Sequence, residues 1–115
     1  MKRVASDNQI PHGMIPSMNR QAIVAKLREN EAALRARGVM YAALFGSRAR
    51  GEGEPGSDID IVVEIAPDFP MDVFQYIDVV HAIEDMFAER VDVSNRAAMK
   101  SHVRPAAERD AIYAF

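Results

Sequence analysis

Apolar positions recur along the chain with two different periods, and the first such segment predicts a helix. From about Asn19 to Arg37 the apolar residues follow helical spacing, at Ile23, Val24, Leu27 and Leu34. Asn19 is a residue type that commonly caps the start of a helix, and Gly38 stands just after the last turn, where glycine often ends one. These signals predict the first helix of the domain.

Two short apolar runs predict strands on either side of a glycine-rich segment. Val39–Phe45 is continuously apolar, and Ser57–Ile65 is rich in the β-branched residues that favour strands. Between them, Gly46–Gly56 holds four of the six glycines of the chain. Glycine-rich segments are typical of loops, so this one is predicted as a loop with one helical turn at Ser47–Arg50.

The second half of the chain predicts two more helices and a third strand. Phe69–Arg90 returns to helical spacing, with apolar residues at Tyr76, Val80, Ile83 and Phe87. Val91–Val93 is a short strand, and His102–Phe115 is predicted as a last helix with Pro105 in its first turn. The order of elements predicts an α/β (α+β) fold, in which helices flank a small mixed β-sheet.

Length and composition indicate one globular domain. The chain has 115 residues, of which 49% are hydrophobic and 27% charged, as expected of a folded domain rather than a disordered chain. Residues 1–17 show no apolar period and are predicted as a flexible leader, which leaves 18–115 as the domain.

Charge and cysteine content narrow the function classes further. The net charge of −3 argues against an extensive nucleic-acid-binding surface, since such surfaces are basic. The sequence has no cysteine, which excludes disulfides and thiolate metal sites. It also has no secretory signal and no apolar run long enough to cross a membrane, so we expect a cytoplasmic protein without a membrane partner.

Three aspartates in the apolar strands predict a metal site. In a strand, alternate residues share a face, so Asp58 and Asp60 point the same way while Ile59 points into the core. Asp92 interrupts the third strand in the same manner. If the two strands are neighbours, three hard oxygen ligands converge, which suits Mg²⁺ or Mn²⁺. Any one of these acids alone is better explained as a turn cap or a solvated residue; the combination favours metal-assisted phosphoryl transfer.

The start of the glycine-rich segment predicts a phosphate-binding turn. Gly46 directly follows a buried strand, and a short helix beginning at Ser47 would direct its free N–H groups at a phosphate. The Ser47 hydroxyl is a further donor, and Arg48 adds positive charge. A strand followed by Gly-Ser is weak evidence by itself, because a plain turn has the same pattern.

The complete motif resembles a known family. Gly46-Ser47, ten intervening residues and Asp58-Ile59-Asp60 are similar to the signature of the DNA polymerase β nucleotidyltransferase superfamily. The fuller Gly-Ser-Arg-Ala-Arg-Gly and Ser-Asp-Ile-Asp-Ile-Val-Val segments resemble its smallest branch, the minimal nucleotidyltransferases of bacteria and archaea. The resemblance extends over nearly the whole chain from Asn19 onward.

The resemblance implies a specific reaction, substrate and partner. Many members of this branch transfer AMP from ATP, with Mg²⁺ or Mn²⁺, onto a tyrosine of a HEPN-domain ribonuclease toxin encoded nearby, and so act as its antitoxin. Carried over to this chain, Asp58, Asp60 and Asp92 bind metal and catalyse, while Gly46, Ser47 and Arg48 bind the nucleotide. Two alternatives stay open: a non-catalytic antitoxin that neutralises its partner by forming a stoichiometric complex, and a nucleotidyltransferase acting on a small molecule.

Overall fold

The computed structural model describes residues 18–52 and 57–115. The leader predicted at residues 1–17 lies outside the described residues, as do the last four residues, 53–56, of the predicted glycine-rich loop. The described residues form four strands: β1 (Val39–Phe45), β2 (Ile59–Ile65), β3 (Val91–Asn95) and β4 (Ile112–Tyr113). They also form five α-helices: α1 (Arg20–Glu29), α2 (Glu31–Ala36), α3 (Gly46–Arg50), α4 (Val73–Glu84) and α5 (Arg104–Asp110).

The four strands form one mixed sheet in the order β3-β2-β1-β4. β1 pairs antiparallel with β2 on one side and with β4 on the other, whereas β2 and β3 run parallel. Helix α4 forms the crossover that parallel strands require. The predicted α/β fold with a small mixed sheet is confirmed.

The sheet separates an apolar side from a more polar side because β2 alternates over most of its length, with Val62 as an apolar residue on the second face. Ile59, Ile61 and Val63 are fully buried in the main core, together with residues of α1 and α4 such as Leu27 and Ile83. The intervening positions of β2 face the other side, which carries the acidic residues of interest. No helix within the described residues is long and apolar enough to cross a membrane.

The first predicted helix is divided in two. Asn19 caps α1 as predicted, its side chain accepting a hydrogen bond from the N–H of Ala22. The break comes at Asn30, whose side-chain amide donates to the carbonyl of Lys26 at 2.9 Å. Asparagine competes with the backbone for such bonds, which explains why the helix is interrupted there.

The second long helix is shorter than predicted. Asp72 caps the start of α4 and exchanges hydrogen bonds with Gln75 in a capping box, so the helix begins after Pro70 rather than at Phe69. It ends at Glu84, before the turn that leads into β3. The predicted apolar face is correct only in part: Tyr76 and Ile83 pack in the core, but Val79 rather than Val80 is fully buried, and Phe87 lies beyond the end of the helix. The capping residues determine where the helix starts.

The prediction of a helix throughout His102–Phe115 is wrong in its second half. Helix α5 ends before Ala111, which has an extended backbone, and Ile112–Tyr113 forms the edge strand β4. The Ala114 N–H then donates to the Ala42 carbonyl at 2.8 Å. The edge of β1 carries backbone groups that need partners, and this long-range pairing overrides the local helical pattern.

Candidate active site

Strand register places two of the predicted acids side by side. Asp60 of β2 and Asp92 of β3 are direct register partners in the parallel pair. Asp58 lies before the start of β2, and its Oδ1 is 3.8 Å from Nε of Arg90. The sheet therefore brings Asp60 and Asp92 to one face, while Asp58 approaches them from the loop that precedes the strand.

Asp60 is the electrostatic centre of this cluster. Partial burial raises the pKa of its carboxyl group, and the negative charges of Asp92 and Asp58 raise it further, while the positive charge of Arg48 lowers it. The ionised form of Asp60 is thus disfavoured by the fold. A position that holds a carboxylate under these conditions is a typical functional site.

The donor chemistry of this cluster suits a divalent cation. Carboxylate oxygens are the ligands that Mg²⁺ and Mn²⁺ prefer, and a cation would relieve the repulsion around Asp60. Within residues 18–52 and 57–115, no three acidic or histidine side chains already stand close enough to form a complete metal cage. Mg²⁺ is usually held by one or two carboxylates together with substrate phosphates, so a partial protein ligand set fits it.

Gly46 lies directly against Asp60, at the junction of β1 and α3. Its φ of +77° is in the left-handed region, and a Cβ at this position would be 2.5 Å from Oδ2 of Asp60. Phe45, the residue before it, is the register partner of Asp60 in the antiparallel pair. Only glycine therefore permits the backbone turn and the close approach of the carboxylate together.

Ser47 lies in the first turn of α3, whose start is at the same edge of the sheet. The helix begins at Gly46 rather than at the predicted Ser47, and among the described residues no side chain caps it. The uncapped N–H groups of such a turn are suited to donate hydrogen bonds to an anion. The proximity of Asp60 to Gly46 places this turn next to the acidic cluster.

Arg48 is buried instead of facing the site. Its side chain donates to the carbonyls of Ser57 and Met18 at 2.9 and 3.0 Å, and it forms an ion pair with Glu89 at 3.0 Å. The side chain thus fastens the chain just before Asp58. The family resemblance predicts that Arg48 binds the nucleotide. These contacts instead support a positioning role, in which the charge of Arg48 still lowers the pKa of Asp60.

Two residues near the acids were not predicted as part of the site. Arg90 is highly exposed, and among the described residues it is the one that forms an ion pair with Asp58. Tyr76 of α4 is half-buried; burial raises the pKa of its hydroxyl, and the charge of Asp92 raises it further. The sequence signal for Tyr76 was helical periodicity, which indicated core packing and gave no sign of its proximity to Asp92.

The raised pKa of Asp60 predicts that the site costs stability. Below the unfolded-state pKa of about 3.9, the carboxyl group is protonated in both states and its titration costs no stability. As the pH rises through the folded-state pKa, ionisation favours the unfolded chain, so the folded protein loses stability. We therefore expect Asp60→Asn to melt at a higher temperature than the wild type at pH 7 without divalent metal, and the difference to vanish towards pH 4. Thermal melts in a chelating buffer across this range measure it; a lower melting temperature for the variant at pH 7 would contradict the electrostatic argument.

Comparison with known proteins places this site in a family. The family model described as the nucleotidyltransferase domain matches residues 26–114. A relative from Methanocaldococcus jannaschii, provisionally named as a protein adenylyltransferase, is 35% identical over 72 residues, which cover 62% of this chain and 72% of the relative.

Solved structures share the fold. One described as a provisional minimal nucleotidyltransferase has a TM-score of 0.69 at 24% identity, covering 83% of this chain and 95% of its own. A complex of a tri-AMPylated HEPN toxin from Shewanella oneidensis with an MNT antitoxin matches with a TM-score of 0.55 at 15% identity, and the match covers 80% of this chain and 71% of that chain. Since the family model spans most of the chain, including the sheet and the acidic cluster, this protein belongs to the nucleotidyltransferase domain family and is a nucleotidyltransferase.

Proposed function

We propose that this enzyme transfers AMP from ATP, with Mg²⁺, to a tyrosine hydroxyl of a HEPN-type toxin and thereby acts as its antitoxin. The observation that carries the proposal is the pairing of Asp60 with Asp92 next to Gly46. This arrangement joins a cluster of negative charge to a turn suited to phosphate. The adenylyltransferase name of the archaeal relative and the AMPylated toxin in the structural neighbour support AMP as the transferred group.

The nucleotide end of the site is the turn at Gly46 and Ser47. Gly46 leaves room for a phosphate to approach the backbone, and the Ser47 hydroxyl and the uncapped N–H groups of α3 donate to phosphate oxygens. Arg48 holds the chain at Ser57, and so fixes the distance between this turn and Asp58. Arg90, exposed beside Asp58, is free to turn towards the triphosphate when Asp58 binds a cation, because the exposed ion pair is weak.

The acidic end of the site holds the metal and the acceptor. We assign Asp58 and Asp60 as metal ligands, with Asp92 completing the set on the acceptor side. When bound, Mg²⁺ supplies charge neutralisation for the triphosphate and for the departing pyrophosphate. The three carboxylates would hold that cation next to the phosphate turn, at the face of the sheet where Asp92 of β3 is exposed.

The transfer itself is a displacement at the α-phosphorus of ATP. The phenolic oxygen of the acceptor forms a new bond to this phosphorus, the bond to the bridging oxygen of the β-phosphate breaks, and pyrophosphate leaves with the electron pair. Asp92 accepts the phenolic proton, which suits its exposed position at the sheet face. An exposed base of this kind is accessible to a hydroxyl presented by a docking protein.

Asp92→Asn separates binding from transfer. Its amide cannot accept the proton, so we expect transfer to fall on the order of 10²-fold, at the low end for a lost general base because a phenol is already fairly acidic. ATP affinity should stay within about threefold of the wild type, because the triphosphate turn is untouched. Intact-mass spectrometry of the toxin after incubation with ATP and Mg²⁺ measures transfer, and calorimetry measures affinity.

Asp78→Asn is the matched control. Asp78 is an exposed acid of α4, so its variant should transfer AMP like the wild type. A wild-type protein that leaves the toxin unmodified yet inhibits it at a one-to-one ratio would favour the non-catalytic antitoxin instead. AMP appearing on a free small molecule but not on the toxin would favour the small-molecule enzyme.

A further inference from the structure

A cleft beside the proposed phosphate turn is not used by the reaction described above. It has a volume of about 340 Å³ and lies between α3 and α5, at the end of β1. Its lining residues include Phe45 and Gly46, and from α5 and the turn before it Val103, Ala106 and Ala107. Gly46 lines the cleft and also lies directly against the carboxylate of Asp60, so the cleft is adjacent to the acidic cluster.

Most of the residues that line this cleft are apolar, and a few are polar. Val103 is 39% exposed, so part of its apolar surface is accessible at the cleft. The polar lining residues are Arg50, His102 and Asp110. An apolar cleft with a few polar groups, at the lower end of the usual range of about 300–1,000 Å³, is typical of a small-molecule subsite.

An ion pair ties the two walls together. Nη1 of Arg50 on α3 lies 2.9 Å from Oδ2 of Asp110, the last residue of α5. This contact connects segments sixty residues apart and sets the spacing between the helices. The Asp110 carboxylate also remains a hydrogen-bond acceptor, as each carboxylate oxygen takes more than one donor, which suits the amino group of a base.

We propose that this cleft binds the nucleobase of the nucleoside triphosphate. The inference rests on the proposed function, since it requires the phosphates to lie at Gly46. From that point the nucleoside extends between α3 and α5, with its base against Phe45 and Val103 and its amino group towards Asp110. An aromatic base has flat apolar faces for such walls, whereas a phosphate chain has none.

The test compares ATP with inorganic tripolyphosphate, which lacks the nucleoside. Calorimetry with Mg²⁺ on the full chain should show that the wild type binds ATP more tightly than tripolyphosphate. Ala106→Trp fills the cleft from an exposed helical position, and should weaken ATP binding about 10- to 100-fold, as expected for loss of a stacked base, while leaving tripolyphosphate binding unchanged. Val103→Ala removes part of one wall and should weaken ATP binding in the same direction by a smaller factor.

Ala33→Trp provides the matched control, because Ala33 is an exposed alanine of another helix, α2, outside the cleft. It should bind both ligands like the wild type. The inference would be overturned if Ala106→Trp and Val103→Ala both left ATP affinity unchanged, or if both variants lost ATP and tripolyphosphate affinity equally. It would also be overturned if the wild type bound ATP no more tightly than tripolyphosphate, a result that leaves the proposed function intact. A wild type that binds neither ligand would contradict the proposed function itself.

Discussion

Replacing Asp60 by asparagine is expected to reduce AMP transfer by on the order of 10³-fold or more. The variant keeps the shape of the side chain and removes its charge at the centre of the acidic cluster. Because Asp58 and Asp92 both act on Asp60, it is the carboxylate whose charge a bound cation would most directly offset. The apolar face of β2 is untouched, so the fold should persist. Transfer is measured by the mass of the toxin after incubation with ATP and Mg²⁺.

Glu64→Gln is the control for this experiment. Glu64 lies on the same strand and the same face as Asp60, but it pairs with Arg96 at 3.3 Å, away from Gly46. Its variant should retain nearly full transfer. An Asp60→Asn protein that transfers AMP at a comparable rate would remove Asp60 from the site. Together with the expected rise in melting temperature, loss of transfer would show a residue retained for activity at the expense of stability.

Gly46→Ala is expected to weaken both ATP binding and transfer by on the order of 10²-fold. The new Cβ would stand 2.5 Å from Oδ2 of Asp60, so the carboxylate must move by nearly 1 Å to reach an ordinary contact of at least 3.4 Å. A misplacement of about 1 Å at a reacting centre costs about 10²-fold in rate. The left-handed backbone adds a stability loss of about 1–2 kcal/mol. Calorimetry with ATP, mass analysis of the toxin and chemical denaturation measure the three effects.

Gly51→Ala separates the clash from the backbone cost. Gly51 has the same φ of +77°, yet among the described residues a Cβ there would meet only the side chain of Arg20, at 3.5 Å. We expect a similar stability loss with ATP binding close to that of the wild type. If both variants lose ATP binding equally, the effect comes from the backbone of the loop, and the contact of Gly46 with Asp60 is not part of the site.

Most elements of the fold could be predicted from the sequence because they depend on local patterns. The β-branched run at β2 and the alternation of Asp60 with its buried neighbours predicted both a strand and the face that the acid occupies. The neighbouring position of β2 and β3 was a condition of the site prediction, and the parallel register of Asp60 with Asp92 satisfies it.

The C-terminal strand could not be predicted in this way. Ile112–Tyr113 is too short to show a period of its own, and it is extended because the edge of β1 supplies its hydrogen-bond partners. The same limit applies to the cleft: its two walls are α3 and α5, which their sequences alone do not bring together.

The sequence by itself determined which residue types this protein carries at its strand ends. It therefore predicted the family, which is confirmed, and the acids and the turn that we propose as the metal and phosphate sites. Only the tertiary structure decided which charged groups are free to act. Arg48 stands in the motif beside Gly46, but Glu89, 41 residues away, draws its side chain inward, whereas Asp60 stays at the site with its charge only partly offset. The physical reason is that periodicity and motif spacing report contacts within a few residues, while burial and ion pairing depend on segments that meet only after the sheet has formed.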